Sequence, residues 1–177
     1  MAVLLRGKFL YLATPRTGSS ATAVALKKLG ARSVHGGHHV GLEDVRPYKG
    51  ELIFTTIRNP YDVLVSWYVR IHRTNDFPIS LAEFLRTYEH EDFTRGDPPT
   101  LFYHCHEGVE VLRWEDGLEA SLNVLLKKLE LEPATLLPEN VTPKKKPWRE
   151  YYDDETLQAV HERFGRDLDT WGYERIS

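Results

Sequence analysis

Short apolar runs that alternate with helical patterns are the feature of this sequence that most restricts its fold. Residues 9–13 and 52–57 are compact, largely apolar runs of the kind that form buried strands. Each run is followed by a loop and then by apolar residues at helical spacing, starting at Ser20 and at Pro60. Because alternating strands and helices build parallel sheets, the pattern predicts an α/β fold with a central parallel sheet flanked by helices.

The rest of the chain continues this alternation. Residues 109–114 predict a third strand, which leads through Gly117 into a leucine-rich helix. Ser80 and Glu83 form the capping-box pattern that begins a helix, and a last helical pattern lies near the C-terminus. A chain of 177 residues suits one compact core, so we expect a single domain over residues 1–177.

Composition limits the class of protein. The formal net charge of -3 argues against a general nucleic-acid binder, which normally carries an excess of basic residues. Cys105 is the only cysteine, so an intrachain disulfide is excluded. No apolar stretch approaches the ~20 residues that a membrane span needs, and the N-terminus lacks a signal-peptide pattern. We therefore expect a cytoplasmic protein without membrane insertion.

The first strand–helix junction has the composition of an anion-binding loop. It reads Pro-Arg-Thr-Gly-Ser-Ser over residues 15–20. Gly18 allows close approach of the backbone, the helix that follows offers unpaired N–H groups, and Arg16 adds a fixed positive charge. The alternative is a serine-rich helix cap beside a solvated arginine. No Lys-Ser or Lys-Thr pair follows Gly18, so this is not the ATP-binding loop of the common kinases and ATPases.

The second junction repeats this arrangement. Arg58 follows the second strand, and Ser66 lies eight positions further on (66 − 58 = 8), about two helical turns away. Taken alone, Arg58 would be an ordinary capping arginine and Ser66 a buried helix serine. Ligands of open parallel sheets sit beyond the carboxyl ends of the strands, which is where both arginines fall.

With both junctions, the chain resembles the PAPS-dependent sulfotransferases (PAPS is 3′-phosphoadenosine 5′-phosphosulfate). Residues 15–20 resemble the 5′-phosphosulfate loop of that family, and residues 57–68, with Arg-Asn-Pro and Val-Ser-x-Tyr, resemble its 3′-phosphate segment. Similarity extends to residues 112–116, 148–152 and 171–173. The resemblance implies a P-loop-like three-layer fold and transfer of a sulfuryl group from PAPS to a hydroxyl or amine, with release of PAP (adenosine 3′,5′-bisphosphate).

The resemblance also implies roles for individual residues. The group that would hold the 5′-phosphosulfate consists of Arg16, Thr17, Gly18, Ser19 and Ser20. Arg58 and Ser66 would hold the 3′-phosphate, and Trp114 would contact the adenine, unless it is a core tryptophan at a strand end. Lys144 and Lys145, in a run with Lys146, stand where relatives carry a basic stretch, although the glycine of that stretch is missing. A solvated charge run is the alternative.

Catalysis by such an enzyme needs charge stabilisation and a base. Arg16 is placed to stabilise the oxygen that leaves the sulfuryl group, and His39 is the favoured base, since the pKa of histidine lies near neutral pH. His38, His35 and Glu43 are the other candidates for the base.

Several alternatives remain open from the sequence. They are a P-loop-related kinase that uses ATP and a non-catalytic module that binds PAP or another nucleotide. The histidine clusters, at residues 35–39 and around Cys105, lack a recognisable metal-ligand spacing, so we expect no metal. The acceptor, whether a small molecule, glycan or peptide, is not specified, although residues 73–105 are expected to line its cleft.

Overall fold

The structure is a computed structural model. It describes residues 1–34, 48, 50–74, 79–90, 93–96, 99–139 and 146–177. The chain forms two compact units, each built from two segments. The first unit comprises Met1–Arg58 and His104–Asn140, and the second comprises Asn59–Tyr103 and Val141–Ser177. The expectation of a single domain over residues 1–177 stays a prediction.

A five-stranded mixed sheet is the centre of the first unit. Its strands are β1 (Ala2–Leu5), β2 (Phe9–Leu12), β3 (Arg32–Val34), β4 (Leu52–Ile57) and β5 (Val109–Arg113). They lie in the order β3-β1-β2-β4-β5. β2, β4 and β5 run parallel to one another, whereas β1 is antiparallel to both of its neighbours. The carboxyl ends of β2, β4 and β5 therefore meet at one edge of the sheet.

Two helices of the first unit pack on one face of this sheet. They are α1 (Ser19–Lys28) and α4 (Leu118–Lys128), and a short 3-10 helix at Trp114–Asp116 leads into α4. The core on this face joins alternate residues of β2 to leucines of the two helices. Leu10 and Leu12 point to the opposite face, where Ala2 is also buried. Since β2 is buried on both faces, its sequence is continuously apolar.

The second unit is helical. It contains α2 (Pro60–Thr74), α3 (Leu81–Thr87), a 3-10 helix at Trp148–Tyr151, and α5 (Asp154–Thr170). Ser80 caps α3 by accepting a hydrogen bond from the Glu83 backbone N–H at 3.1 Å, as the sequence predicts. The buried Asp167 carboxylate accepts bonds from the Thr100 hydroxyl and the Leu101 N–H at 2.5 and 2.9 Å. Within the described residues, no helix is both long and apolar enough to cross a membrane.

Comparison with the sequence prediction confirms the α/β class, the three parallel strands and the positions of the helices. The predicted central parallel sheet is present as β2, β4 and β5, and the whole sheet is mixed because β1 and β3 add an antiparallel edge. β1 forms a hairpin with β2, and Gly7 occupies the turn with φ of 74°. Such a conformation is readily adopted only by glycine.

Candidate functional site

The loop between β2 and α1 has an unusual backbone. Arg16 adopts φ of 66°, one of two non-glycine residues with positive φ in the part of the chain that the structure describes. Gly18 follows with φ of 80° and is the N-cap of α1. Left-handed conformations of non-glycine residues are costly and are concentrated at functional sites. The loop therefore holds a cationic residue in a strained conformation directly before a helix N-terminus.

The N-terminus of α1 has the electrostatic character of an anion site. Its N-cap is a glycine without a side-chain hydrogen bond to the first turn, and the first turn has no acidic residue. Ser19 and Ser20, the first two residues of α1, are partly exposed. Because the first N–H groups of a helix have no partner within the helix, such a terminus favours a negatively charged ligand.

Hydrogen bonds among buried threonines connect the β2–α1 loop to β4. The Thr17 hydroxyl donates to the Thr14 carbonyl at 2.8 Å and pairs with the Thr56 hydroxyl at 2.7 Å. The Thr14 and Thr55 hydroxyls pair at 2.8 Å. Thr17 is fully buried, so its hydroxyl serves this network and positions the loop.

Tyr11 extends the network below the loop. Its hydroxyl pairs with the Thr56 hydroxyl at 2.9 Å. Burial raises the pKa of Tyr11, although hydrogen bonds from Thr56 and Thr22 act in the opposite direction. The phenol is thus neutral at physiological pH, and the network consists of neutral hydroxyl groups. Satisfied buried polar networks of this kind rigidify the backbone that they join.

Arg58 and Trp114 are brought together by strand register. Ile57, the last residue of β4, lies opposite Arg113, the last residue of β5. The residue that follows each of them, Arg58 and Trp114, therefore falls at the same level of the sheet edge. The Arg58 guanidinium carbon lies 4.9 Å from the centroid of the Trp114 ring, within the distance of a cation–π interaction.

Trp114 also packs against the β2–α1 loop. A Cβ built on Gly18 would lie 2.7 Å from Cε3 of Trp114, and Cζ3 is nearer still. Only glycine fits against the ring at this distance. Trp114 is nevertheless 39% exposed, so the core-tryptophan interpretation of this residue is wrong. One partly exposed indole thus contacts both the β2–α1 loop and the arginine at the end of β4.

The structure describes the positions of most of the predicted site residues. Arg16, Gly18, Arg58 and Trp114 belong to the first unit and lie after the parallel strands. Ser66 is buried on α2 in the second unit. The candidate bases and lysines lie outside the described residues: His35, His38, His39, Glu43, Lys144 and Lys145.

Sequence reasoning missed the role of the buried threonines. Thr55 and Thr56 interrupt the apolar run of β4, which is a signal that the strand end carries hydroxyl groups.

Among the described residues, no group of three or more His, Cys, Asp or Glu side chains is arranged to hold a metal ion. Searches against protein-family models, curated proteins and solved structures find no significant match to this chain.

Proposed function

We propose that this protein is a PAPS-dependent sulfotransferase with a P-loop-like fold. The observation that carries the proposal is the convergence of the Gly18 loop and Arg58 on the ring of Trp114, at the carboxyl ends of three adjacent parallel strands. Ligands bind at this edge in open α/β sheets. A nucleotide with phosphates at both ends of its ribose requires two cationic positions with a base-binding surface close by.

Each part of this edge suits one part of the donor. The N–H groups at the start of α1, with Arg16, suit the 5′-phosphosulfate. The Arg58 guanidinium suits the 3′-phosphate, because its planar fork of donors matches phosphate oxygens. Exposed aromatic surface at Trp114 suits the adenine. Ser66, Lys144 and Lys145 are further proposed ligands on the basis of the sequence resemblance.

The reaction needs alignment and charge stabilisation more than covalent catalysis, as in phosphoryl transfer. The acceptor oxygen or nitrogen forms a bond to sulfur while the bond from sulfur to the 5′-phosphate oxygen breaks. The electron pair of the broken bond stays with PAP, where Arg16 stabilises the developing charge. The acceptor proton passes to a base, for which His39 is the first choice and His38, His35 and Glu43 are alternatives.

PAP binding by Arg58 variants, measured by calorimetry, tests the proposal. Arg58→Ala is expected to weaken binding by about 1.5–3 kcal/mol, the range for a lost charge-assisted hydrogen bond, and Arg58→Lys to retain part of it. The matched control is Arg6→Ala, since Arg6 is exposed in the turn that precedes β2, at the opposite end of that strand. Equal PAP affinity in Arg58→Ala and wild type would remove Arg58 from the site.

Turnover assays distinguish the sulfotransferase from the two alternative functions, a kinase and a nucleotide-binding module. PAPS is supplied with phenol, sugar and peptide hydroxyl acceptors, and release of PAP is followed; the same panel is then run with ATP. Transfer from PAPS supports the sulfotransferase, whereas transfer from ATP would identify a kinase. Tight PAP binding without turnover on any acceptor would identify a nucleotide-binding module.

A further inference from the structure

The indole of Trp114 contacts two groups that the proposed function assigns to different ends of the donor. Arg58 lies over its ring at 4.9 Å. Gly18 lies against its six-membered portion, so closely that a Cβ at this position would collide with Cε3 at 2.7 Å. Leu118, on α4, also borders the space at Gly18. The ring is thus packed against the loop and also contacts the guanidinium.

A fixed ring changes how Arg58 can bind an anion. An arginine side chain has large rotational freedom, and a ligand that orders it loses part of its binding free energy to that ordering. Tryptophan is the best aromatic partner for a cation, so the contact with Trp114 restricts the rotation of the Arg58 side chain. The arginine is therefore oriented before the ligand arrives.

We propose that Trp114 is a positioning residue for the 3′-phosphate, acting through Arg58. This inference rests on the proposed function and extends it: beyond any contact with the base, Trp114 sets the preference for a nucleotide that carries a 3′-phosphate. Loss of a base contact would weaken PAP and 5′-AMP equally, because both carry adenine. Loss of the Arg58 orientation weakens PAP alone.

The test is the ratio of PAP to 5′-AMP affinity, measured by calorimetry for wild type, Trp114→Phe and Trp114→Leu. We expect Trp114→Leu to lower the ratio by about 2- to 30-fold, which is the range of cation–π interactions, and Trp114→Phe to fall between it and wild type. Leu118→Val is the matched control: it alters packing beside Gly18 but leaves the Arg58–Trp114 contact, so its ratio should equal that of wild type.

A double-mutant cycle locates the effect. In the Arg58→Ala background, Trp114→Leu should leave the ratio unchanged, because the group that it positions is gone. A wild-type ratio in Trp114→Leu, with both affinities reduced equally, would overturn the positioning role and leave the proposed function intact. A wild-type protein without preference for PAP over 5′-AMP would instead refute the proposed function, and this inference with it. Trp114→Phe is the smaller change, so it still tests the positioning role if Trp114→Leu does not fold.

Discussion

Replacement of Gly18 by alanine tests the close packing of the β2–α1 loop against the Trp114 ring. Gly18 has φ of 80°, and a Cβ at this position would meet the Trp114 ring at 2.7 Å or less. Gly7, in the β1–β2 turn, has a similar φ of 74° with no atom within 4 Å of its would-be Cβ. The two glycines therefore differ mainly in the contact with Trp114, and Gly7→Ala is a matched control.

The expected loss of stability has two terms, a conformational one and a steric one. A left-handed conformation costs a residue with a Cβ roughly 1–2 kcal/mol, which applies to both variants. A methyl group forced into an occupied space costs typically ~1–3 kcal/mol more, which applies to Gly18→Ala alone. We therefore expect Gly7→Ala to lower the free energy of unfolding by about 1–2 kcal/mol, and Gly18→Ala by about 2–5 kcal/mol.

Urea denaturation measures both values, and a cycle with Trp114→Ala assigns the difference to the ring. With the indole removed, Gly18→Ala should cost only the conformational term of about 1–2 kcal/mol. The interaction energy of the cycle should then be about 1–3 kcal/mol. Equal costs for Gly18→Ala and Gly7→Ala, or additive effects of Gly18→Ala and Trp114→Ala, would refute the close approach of the loop and the ring.

Three further predictions concern other parts of the chain. Arg16→Ala should reduce kcat with PAPS by at least about tenfold more than it reduces PAPS affinity, and equal losses in steady-state kinetics and calorimetry would mean that Arg16 only binds. Glu130 follows α4 with φ of 58°, where Gly30 follows α1 with φ of 92°, so Glu130→Gly should raise thermal stability by about 0.5–1 kcal/mol; a fall in Tm would contradict this. Burial raises the pKa of Asp167, so folding favours its neutral form relative to the unfolded state. The contribution of Asp167 to the free energy of unfolding is therefore fully present below its ordinary pKa of 3.8 and declines as pH rises through the higher folded-state pKa. Asp167→Asn should remove this decline from the stability–pH profile, and an unchanged profile would show that Asp167 does not titrate in this range.

Apolar periodicity was enough to predict the parallel strands and the helices. β2 is fully buried, most of β4 is buried, and Leu112 of β5 joins the same core as the helices. Burial of a strand is visible in its sequence as an apolar run. β3 is three residues long and mostly exposed, so its sequence has no apolar run that would predict a strand. β1 is apolar but ends at a turn with two basic residues, and only Gly7 signals the hairpin.

The contacts of the site depend on register, which periodicity does not specify. Arg58 and Trp114 lie 56 residues apart in the chain (114 − 58 = 56) and meet because Ile57 pairs with Arg113. A shift of one residue would carry the side chains of a strand to the other face of the sheet. The sequence predicted that both residues lie at strand ends, but their mutual contact, and the packing of Gly18 against the ring, required the pairing of β4 with β5.

Calorimetry of the wild-type protein with PAP, 5′-AMP and 3′-AMP tests the central claim most directly, because it removes one phosphate at a time from the same adenosine. If the start of α1 and Arg58 hold opposite ends of one nucleotide, PAP should bind at least about tenfold more tightly than either monophosphate, consistent with at least 1.4 kcal/mol for each phosphate. Equal affinities for PAP and 5′-AMP would contradict a 3′-phosphate site at Arg58, and equal affinities for PAP and 3′-AMP would contradict a 5′-phosphate site at α1.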